Sequence, residues 1–376
     1  MITLHKTAAA ALGVAALTLG VAACGSSTST TGTTNSGSKT PVQSATISGA
    51  GSTFAAPVYE QWGSQLAGHP TVNYQAVGSG AGITALEGKT VDFGASDPPL
   101  KAAEETALKK VGEPVQIPMF LGAITISYNL PGLKINGAKP GAGLKLEGTT
   151  IADIYLGKIK TWNDPAIKVL NPHAELPSTP ITVIHRSDSS GTSAGFTGFL
   201  AAVDPEWASK VGSGKVVPWP TGTGEKGNAG VAGGVQQTVG AIGYVEQAYA
   251  LQHNFTTAEV KNKAGNFVAP TLASTSAAAE GVTVPANLGL KISNPSAPDA
   301  YPITSQTFVV VYKDMCKAGV PGGKSAAEGV KRFLEYGLGE GQSILAKADY
   351  ATLPATILAK SKAAVAGLTC EGSPLS

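Results

Sequence analysis

The segment R-S-D-S-S-G-T-S-A-G, residues 186–195, could do chemistry of two different kinds. From Gly191 to Gly195 it matches the G-x-S-x-G pattern of a hydrolase nucleophile elbow, in which Ser193 would attack an ester. The same residues could instead form a loop rich in glycine and serine that opens a helix, where backbone N–H groups bind an anion. The first interpretation makes Ser193 catalytic, and the second makes it part of a binding loop.

The surroundings of Ser193 do not favour the hydrolase. A nucleophile elbow needs its strand to run directly into the motif, but residues 187–190 separate Arg186 from the G-x-S-x-G segment. Of the five histidines, only His253 follows Ser193 as the hydrolase order requires, and no aspartate between them stands at a clear strand end. The chain also contains 47 glycines, so a chance match is common. The sequence favours the anion-binding loop, with a serine esterase or phosphatase as the alternative.

Composition narrows the class of protein further. The 376 residues carry a formal net charge of +2 and contain no run of basic residues, which argues against a nucleic-acid partner. The sequence contains no H-x-x-H, C-x-x-C or EF-hand pattern, so we predict no metal and no cofactor. The length is typical of two domains rather than one.

The first residues have the pattern of an export signal. Residues 1–23 carry Lys6, then a stretch dominated by Ala, Leu and Val, and end in V-A-A before Cys24, which resembles the lipobox of bacterial lipoproteins. We therefore predict export, cleavage before Cys24, and a lipid on that cysteine that holds the chain on the outer face of the cell membrane. Residues 24–45 are rich in Ser, Thr and Gly and are predicted to form a flexible linker. An ordinary secretory signal is the alternative.

Two further cysteines, Cys316 and Cys370, remain once Cys24 carries the lipid. In an exported protein such a pair is expected to form a disulfide. Two buried free thiols are the alternative.

The elements that position the candidate loop follow a recurrent unit of strand, Gly/Ser/Thr loop and helix. The first unit runs from A-T-I-S-G-A-G through residues 52–54 into a helix. The second passes through V-G-S-G-A-G and is followed by the strand T-V-D-F-G-A-S-D, and the third contains residues 186–195. Near the C-terminus a helix is predicted with one apolar face, formed by Val330, Phe333, Leu334 and Leu338. Alternating strands and helices predict an α/β architecture with mostly parallel sheets and ligands beyond the carboxyl ends of the strands.

Six motifs in this order resemble the periplasmic phosphate-binding proteins of Pst ABC transporters, the PstS family. They are G-A-G-S-T-F-A-A-P-V-Y-E-Q-W, V-N-Y-Q-A-V-G-S-G-A-G, D-F-G-A-S-D-P-P-L, D-I-Y-L-G-K-I-K-T-W-N-D-P-A-I, R-S-D-S-S-G-T-S and K-G-N with G-A-I-G-Y-V-E. The resemblance implies a type 2 periplasmic-binding-protein fold, with two lobes joined by a hinge and the ligand in the cleft. Lobe I would comprise residues 46–127 and 302–376, and lobe II residues 128–301.

The resemblance also implies a set of phosphate-binding residues. They are Ser52, Thr53, Phe54, Ser79, Asp97, Arg186, Ser190, Gly191 and Thr192, with Asp188 supporting them as the ion-pair partner of Arg186. The chain departs from the commonest family form at Ser189, where glycine is frequent, and glycine tolerates backbone conformations that serine does not.

These residue types suit a protonated oxyanion. Helix N-termini offer unpaired N–H groups, and a guanidinium such as that of Arg186 can bind two oxygens at once. Asp97 would accept a hydrogen from phosphate and repel sulfate, which has none to donate. A helix cap is the alternative role for Asp97.

The implied function is binding without catalysis. The protein would bind inorganic phosphate outside the membrane as a monomer and deliver it to the transmembrane permease subunits of an ABC importer. The alternatives are a binding protein of the same fold for another oxyanion, such as sulfate or molybdate, and a surface antigen or sensor that serves no transporter.

Overall fold

The computed structural model of the chain describes residues 45–66, 69–137, 139 and 141–376. The predicted signal sequence, Cys24 and the predicted linker up to residue 44 lie outside the described residues. Among the helices in the described ranges, none combines the length and the apolar character needed to cross a membrane.

Strands and short helices alternate through most of the described chain. The strands are β1 Thr46–Gly51, β2 Thr71–Gln75, β3 Phe93–Ser96, β4 Pro114–Tyr128, β5 Lys145–Leu146, β6 Thr182–Arg186, β7 Thr223–Glu225, β8 Ala241–Glu246, β9 Thr256–Thr257, β10 Glu259–Lys261, β11 Phe267–Val268, β12 Thr304–Tyr312, β13 Thr369–Cys370 and β14 Ser373–Pro374. The helices are α1 Ala56–Gln65, α2 Ser79–Glu87, α3 Ala102–Lys109, α4 Gly148–Tyr155, α5 Pro165–Leu170, α6 Gly191–Val203, α7 Pro205–Lys210, α8 Gly227–Gln237, α9 Gln247–Gln252, α10 Leu272–Ala277, α11 Met315–Ala318, α12 Gly323–Leu338 and α13 Ala355–Ala366, with a 3-10 helix at Glu340–Ala348.

The principal sheet has the strand order β2-β1-β3-β12-β4-β8-β6-β7, and β9 pairs with β4. Its outer parts are parallel, because β1 pairs in parallel with β2 and β3 and β6 with β7 and β8. The prediction of mostly parallel sheets is wrong for the centre, where β12 and β4 run antiparallel to each other and to their outer neighbours. The physical reason is topological, since a chain that crosses between the two halves of the sheet and returns runs its crossing strands in opposite directions.

Strand β4 belongs to both halves of this sheet. Its residues 114–123 pair with β12, and its residues 124–128 pair with β8. The strand is buried along nearly all of its length. A continuous strand therefore links the first half, built on β1–β3, to the second, built on β6–β8.

The core of the first half is aromatic. Tyr59 and Trp62 on α1 pack against Phe120 on β4 and Phe333 on α12, with ring centroids 5.5–5.9 Å apart. The apolar face predicted for α12 is confirmed, because its four members are all buried. In the structure a disulfide joins Cys316 on α11 to Cys370 on β13.

Candidate anion-binding site

The first candidate loop leaves the sheet at Gly51. This residue has φ +143°, and a Cβ there would lie 2.0 Å from the carbonyl oxygen of Ala95 on β3, so only glycine fits. The N–H of Ser52 donates to that same carbonyl at 3.0 Å. Close pairing of the two strand ends therefore brings the loop before α1 next to the residue that follows β3.

That residue is Asp97, whose side chain is buried among hydroxyl groups. Ser52 Oγ donates to Asp97 Oδ1 at 2.5 Å, and Ser79 Oγ, at the start of α2, donates to Asp97 Oδ2 at 3.4 Å. Helix α3 begins later and has Lys101 at its N-cap position. The alternative role of Asp97 as the cap of that helix is therefore wrong.

The third loop connects β6 to α6 and is organised by Arg186. The guanidinium is buried and forms a bidentate pair with Asp188, with Nε 2.7 Å from Oδ1 and Nη2 2.5 Å from Oδ2. Its Nη1 donates to Thr192 Oγ1 at 3.3 Å. Asp188 also accepts from the N–H of Gly227 at 3.1 Å, so both Arg186 and Gly227 fix the position of its carboxylate.

Gly191 brings the third loop against the other two. A Cβ on this residue would lie 2.2 Å from Asp97 Oδ2 and 2.3 Å from Ser79 Oγ. The N–H of Gly80 donates to the carbonyl oxygen of Ser189 at 2.9 Å. The three loops predicted from sequence therefore converge on one buried position.

The serine at position 189 fits without backbone strain. Ser189 is not among the non-glycine residues with positive φ. Its Oγ occupies the space where a Cβ on Gly80 would stand, at 2.0 Å. Gly80 in the second loop thus leaves room for the serine that stands at position 189 of the third loop in place of the frequent glycine.

The first and third loops also carry backbone N–H groups that could bind an anion. Within the described part of the chain, the N–H groups of Thr53, Phe54, Gly191 and Thr192 have no hydrogen-bond partner, although these residues are buried. Ser190 Oγ accepts from the N–H of Ser193 at 3.0 Å and so caps α6. Buried donors at a helix N-terminus are stabilised by an anion, which accepts their hydrogens and interacts favourably with the helix dipole.

Asn228 is a member of this cluster that the sequence analysis missed. It is fully buried, and its Nδ2 donates to Thr53 Oγ1 at 3.1 Å and to Thr192 Oγ1 at 3.3 Å, so it links the first loop to the third. The signal that could have found it is its position, because Asn228 follows β7 at the start of α8 and so repeats the strand–loop–helix unit.

Ser193 does not have the surroundings of a nucleophile. Its Oγ lies 2.6 Å from the hydroxyl of Tyr244, which also accepts from the N–H of Arg186 at 3.0 Å. Among the described histidines, His185 Nδ1 contacts the Arg186 carbonyl and His253 Nδ1 contacts Gln236. The geometry that a serine hydrolase needs, a histidine within hydrogen-bond reach of the serine, is not formed at Ser193 by these residues.

The site has no excess positive charge. Burial raises the pKa of Asp97 to about 6, and the Ser52, Thr307, Arg186 and Ser79 side chains only partly oppose this effect. Burial also acts to raise the pKa of Asp188, but the Arg186 guanidinium outweighs it and holds that pKa below its ordinary value. Since Arg186 is compensated by Asp188, an anion here would be held mainly by hydrogen bonds and helix dipoles rather than by excess positive charge.

Comparison with known proteins identifies the family. The family model described as a PBP superfamily domain matches residues 27–340. The phosphate-binding protein PstS of Pasteurella multocida is 40% identical over 325 residues, which is 85% of this chain and 90% of that protein. The chain belongs to the PstS family. The PstS protein of Haemophilus influenzae is also 40% identical, over 324 residues that span 85% of this chain and 92% of that relative.

The PstS chain also shares its fold with solved structures. A phosphate-binding protein from Stenotrophomonas maltophilia superimposes with a TM-score of 0.66 at 21% identity, covering 88% of this chain and 99% of that chain. The predicted type 2 periplasmic-binding-protein fold is confirmed. That the clustered residues of this PstS chain contact phosphate stays a prediction.

Proposed function

We propose that this protein binds inorganic phosphate outside the membrane and delivers it to the permease subunits of an ABC importer. The observation that carries the proposal is the set of buried N–H groups of Thr53, Phe54, Gly191 and Thr192, which have no hydrogen-bond partner in the described part of the chain and belong to loops that converge beside Arg186. Membership of the PstS family supports phosphate as the anion and an importer as the destination.

Asp97 supports phosphate over other oxyanions. Near neutral pH phosphate keeps at least one hydrogen, which it can donate to the Asp97 carboxylate. Sulfate has none, so one of its oxygens would face an acceptor in a site closed to water, and a buried acceptor pair without a hydrogen is costly. Selectivity would therefore depend on the protonation of the ligand rather than on its charge.

Contacts between the two proposed lobes, residues 46–127 with 302–376 and residues 128–301, support a hinge mechanism. Glu104 and Lys215 form an ion pair at 2.5 Å, and Asn228 hydrogen-bonds to Thr53. Each of these contacts would break if the lobes separated. We propose that phosphate favours the closed arrangement and that the permease reopens it.

The remaining parts of the proposal concern location and chemistry. We propose a monomer that is exported and held on the outer face of the cell membrane by a lipid on Cys24. We also propose that phosphate is bound and released unchanged, since Ser193 is paired with Tyr244.

Calorimetric titration with phosphate, repeated in excess sulfate and excess molybdate, tests the proposal. We expect heat from a single site that persists in both competitors. Absence of phosphate heat would contradict phosphate binding, and displacement by sulfate or molybdate would favour the other oxyanion. An assay with an activated ester separates the esterase alternative, which requires turnover that Ser193→Ala abolishes.

A further inference from the structure

Glu246 is a buried carboxyl group that the proposed phosphate contacts do not use. It ends β8 and is 0% exposed, and in the described chain it takes part in no ion pair. Its N–H donates to Asn228 Oδ1 at 3.2 Å, which places it directly behind the candidate site. Its Oε2 accepts from the N–H of Ala248 at 3.0 Å, while Oε1 has no partner among the described residues.

The hydroxyl of Tyr350 joins this carboxyl group to the first loop. Tyr350 Oη lies 2.7 Å from the carbonyl oxygen of Phe54 and 2.7 Å from Glu246 Oε2. A tyrosine hydroxyl has one hydrogen, and a carbonyl can only accept. If Glu246 were ionised it too could only accept, and one of the two short oxygen pairs would then have no hydrogen between its atoms.

A proton on Glu246 resolves this conflict. The carboxylic acid then donates to Tyr350 Oη, and Tyr350 donates to the carbonyl of Phe54, so each contact has one hydrogen. Oε2 can still accept from Ala248, and Oε1 becomes an uncharged carbonyl oxygen, whose burial costs less than that of a carboxylate oxygen. The hydrogen count therefore favours the neutral acid.

We propose that Glu246 is a neutral hydrogen-bond donor that positions the first phosphate loop through Tyr350. Tyr249 acts in parallel, because its hydroxyl donates to the carbonyl of Thr53 at 2.8 Å. Two tyrosines thus hold the two consecutive carbonyls of Thr53 and Phe54, whose buried N–H groups have no hydrogen-bond partner among the residues that the structure describes. Glu246 is a positioning residue in this scheme, and its link to affinity rests on the proposed phosphate binding.

The charges around Glu246 agree with the proposal. The titratable groups that face it are Tyr350 and Asp349, from the segment after the 3-10 helix, and Tyr249 on α9. None of these three groups carries positive charge. Burial raises the pKa of Glu246 well above its ordinary value, Asp349 adds to the increase, and the Tyr350 hydroxyl and the Ala248 N–H oppose it.

Infrared difference spectroscopy tests the proton directly. Near neutral pH, wild type minus Glu246→Gln should show the C=O stretching band of a protonated carboxyl group, and the band should persist when both proteins also carry Asp97→Asn. A difference spectrum with only carboxylate bands would overturn the proposal. This measurement needs no phosphate, so it decides the protonation state even if phosphate binding were to fail.

Phosphate titration tests the positioning role. The amide nitrogen of Glu246→Gln can still donate to Tyr350, but it cannot accept from the N–H of Ala248 as Oε2 does. Because the bond to Ala248 is not part of the chain that reaches Phe54, we expect Kd within about threefold of wild type. Glu246→Leu and Tyr350→Phe break the chain of hydrogen bonds and should raise Kd about tenfold. The role is refuted if Glu246→Gln and Tyr350→Phe weaken binding equally, or if neither Tyr350→Phe nor Glu246→Leu changes Kd. Urea denaturation checks that each variant is folded, and Tyr350→Phe replaces Glu246→Leu if the latter is not.

Discussion

Replacing Asp97 by asparagine should reduce the discrimination between phosphate and sulfate. The structure predicts that the substituted side chain fits, because an amide oxygen can accept from Ser52 Oγ as Oδ1 does. The amide nitrogen would take the place of Oδ2, 3.4 Å from Ser79 Oγ, which can accept from it. The change therefore replaces one acceptor with a donor and leaves the shape of the site nearly unaltered.

The magnitude follows from the hydrogen bonds that change. Phosphate would lose one hydrogen bond to a charged group, about 1.5–3 kcal/mol, which weakens binding about 10- to 150-fold. Sulfate would gain a donor where it now faces an acceptor, a change of about 1–3 kcal/mol in its favour. The ratio of the two dissociation constants should therefore fall by about two to four orders of magnitude.

Calorimetric titrations of Asp97→Asn with each anion measure this ratio. Asp188→Asn is the matched control, because Asp188 contacts Arg186 and Gly227 rather than the position of the anion. It should change the affinity for both anions in the same direction and by a similar factor, and so leave the ratio unchanged. A folded Asp97→Asn protein whose ratio stays within about threefold of wild type would refute the role assigned to Asp97.

Three further predictions follow from the same contacts. Gly191→Ala places a methyl group 2.2 Å from Asp97 Oδ2 and should raise the phosphate Kd about 10- to 100-fold. In the control Gly198→Ala the Cβ would meet nothing nearer than 4.0 Å, so Kd should be unchanged. Equal effects of the two substitutions would contradict the close approach of Gly191 to Asp97. Glu104→Gln leaves the ammonium of Lys215, whose side chain is 5% exposed, without its charged partner and should accelerate phosphate dissociation about tenfold in stopped-flow measurements. Glu105→Gln is the control and should leave the dissociation rate unchanged, because the side chain of its partner Lys109 is 48% exposed. Burial raises the pKa of Asp97 from 3.8 to about 6, so between these pH values the folded phosphate-free protein retains a proton that the unfolded chain loses. About 3 kcal/mol of folding stability is therefore present below pH 3.8 and is lost as the pH rises through about 6. Urea denaturation of wild type and Asp97→Asn across this range should show a smaller loss in the variant, and parallel curves would contradict the shift.

Much of the fold could be predicted from sequence because its signals are local. The apolar periodicity of α12 and the strand–loop–helix units containing Ser52, Ser79 and Gly191 depend on neighbouring residues, and the structure agrees with each of them. The direction of a strand has no such local signal. The segment of β12 is equally apolar whether its neighbours run parallel or antiparallel, so the antiparallel centre of the sheet could not be inferred from its composition.

The residues of the candidate site likewise divide into those that the sequence predicts and those that it does not. Ser52, Asp97 and Arg186 lie at strand ends, where residue type and position predict a binding loop. Asn228 and Tyr350 act through contacts with Thr53 and Phe54, which are far away along the chain. Their roles depend on how the two halves pack together, and short-range patterns carry no information about that packing.

The balance of charge explains why one carboxyl group can control selectivity. If Arg186 were uncompensated, its attraction would act on any oxyanion, and sulfate would gain from it as phosphate does. Because the Asp188 carboxylate pairs with Nε and Nη2 of the guanidinium, that unselective attraction is reduced. What remains is a set of directional donors from the backbone and one acceptor, Asp97, held in place by two serine hydroxyls. In such a site the number of hydrogens on the ligand matters more than its net charge, so selectivity should persist in high salt, where screening weakens charge attraction most.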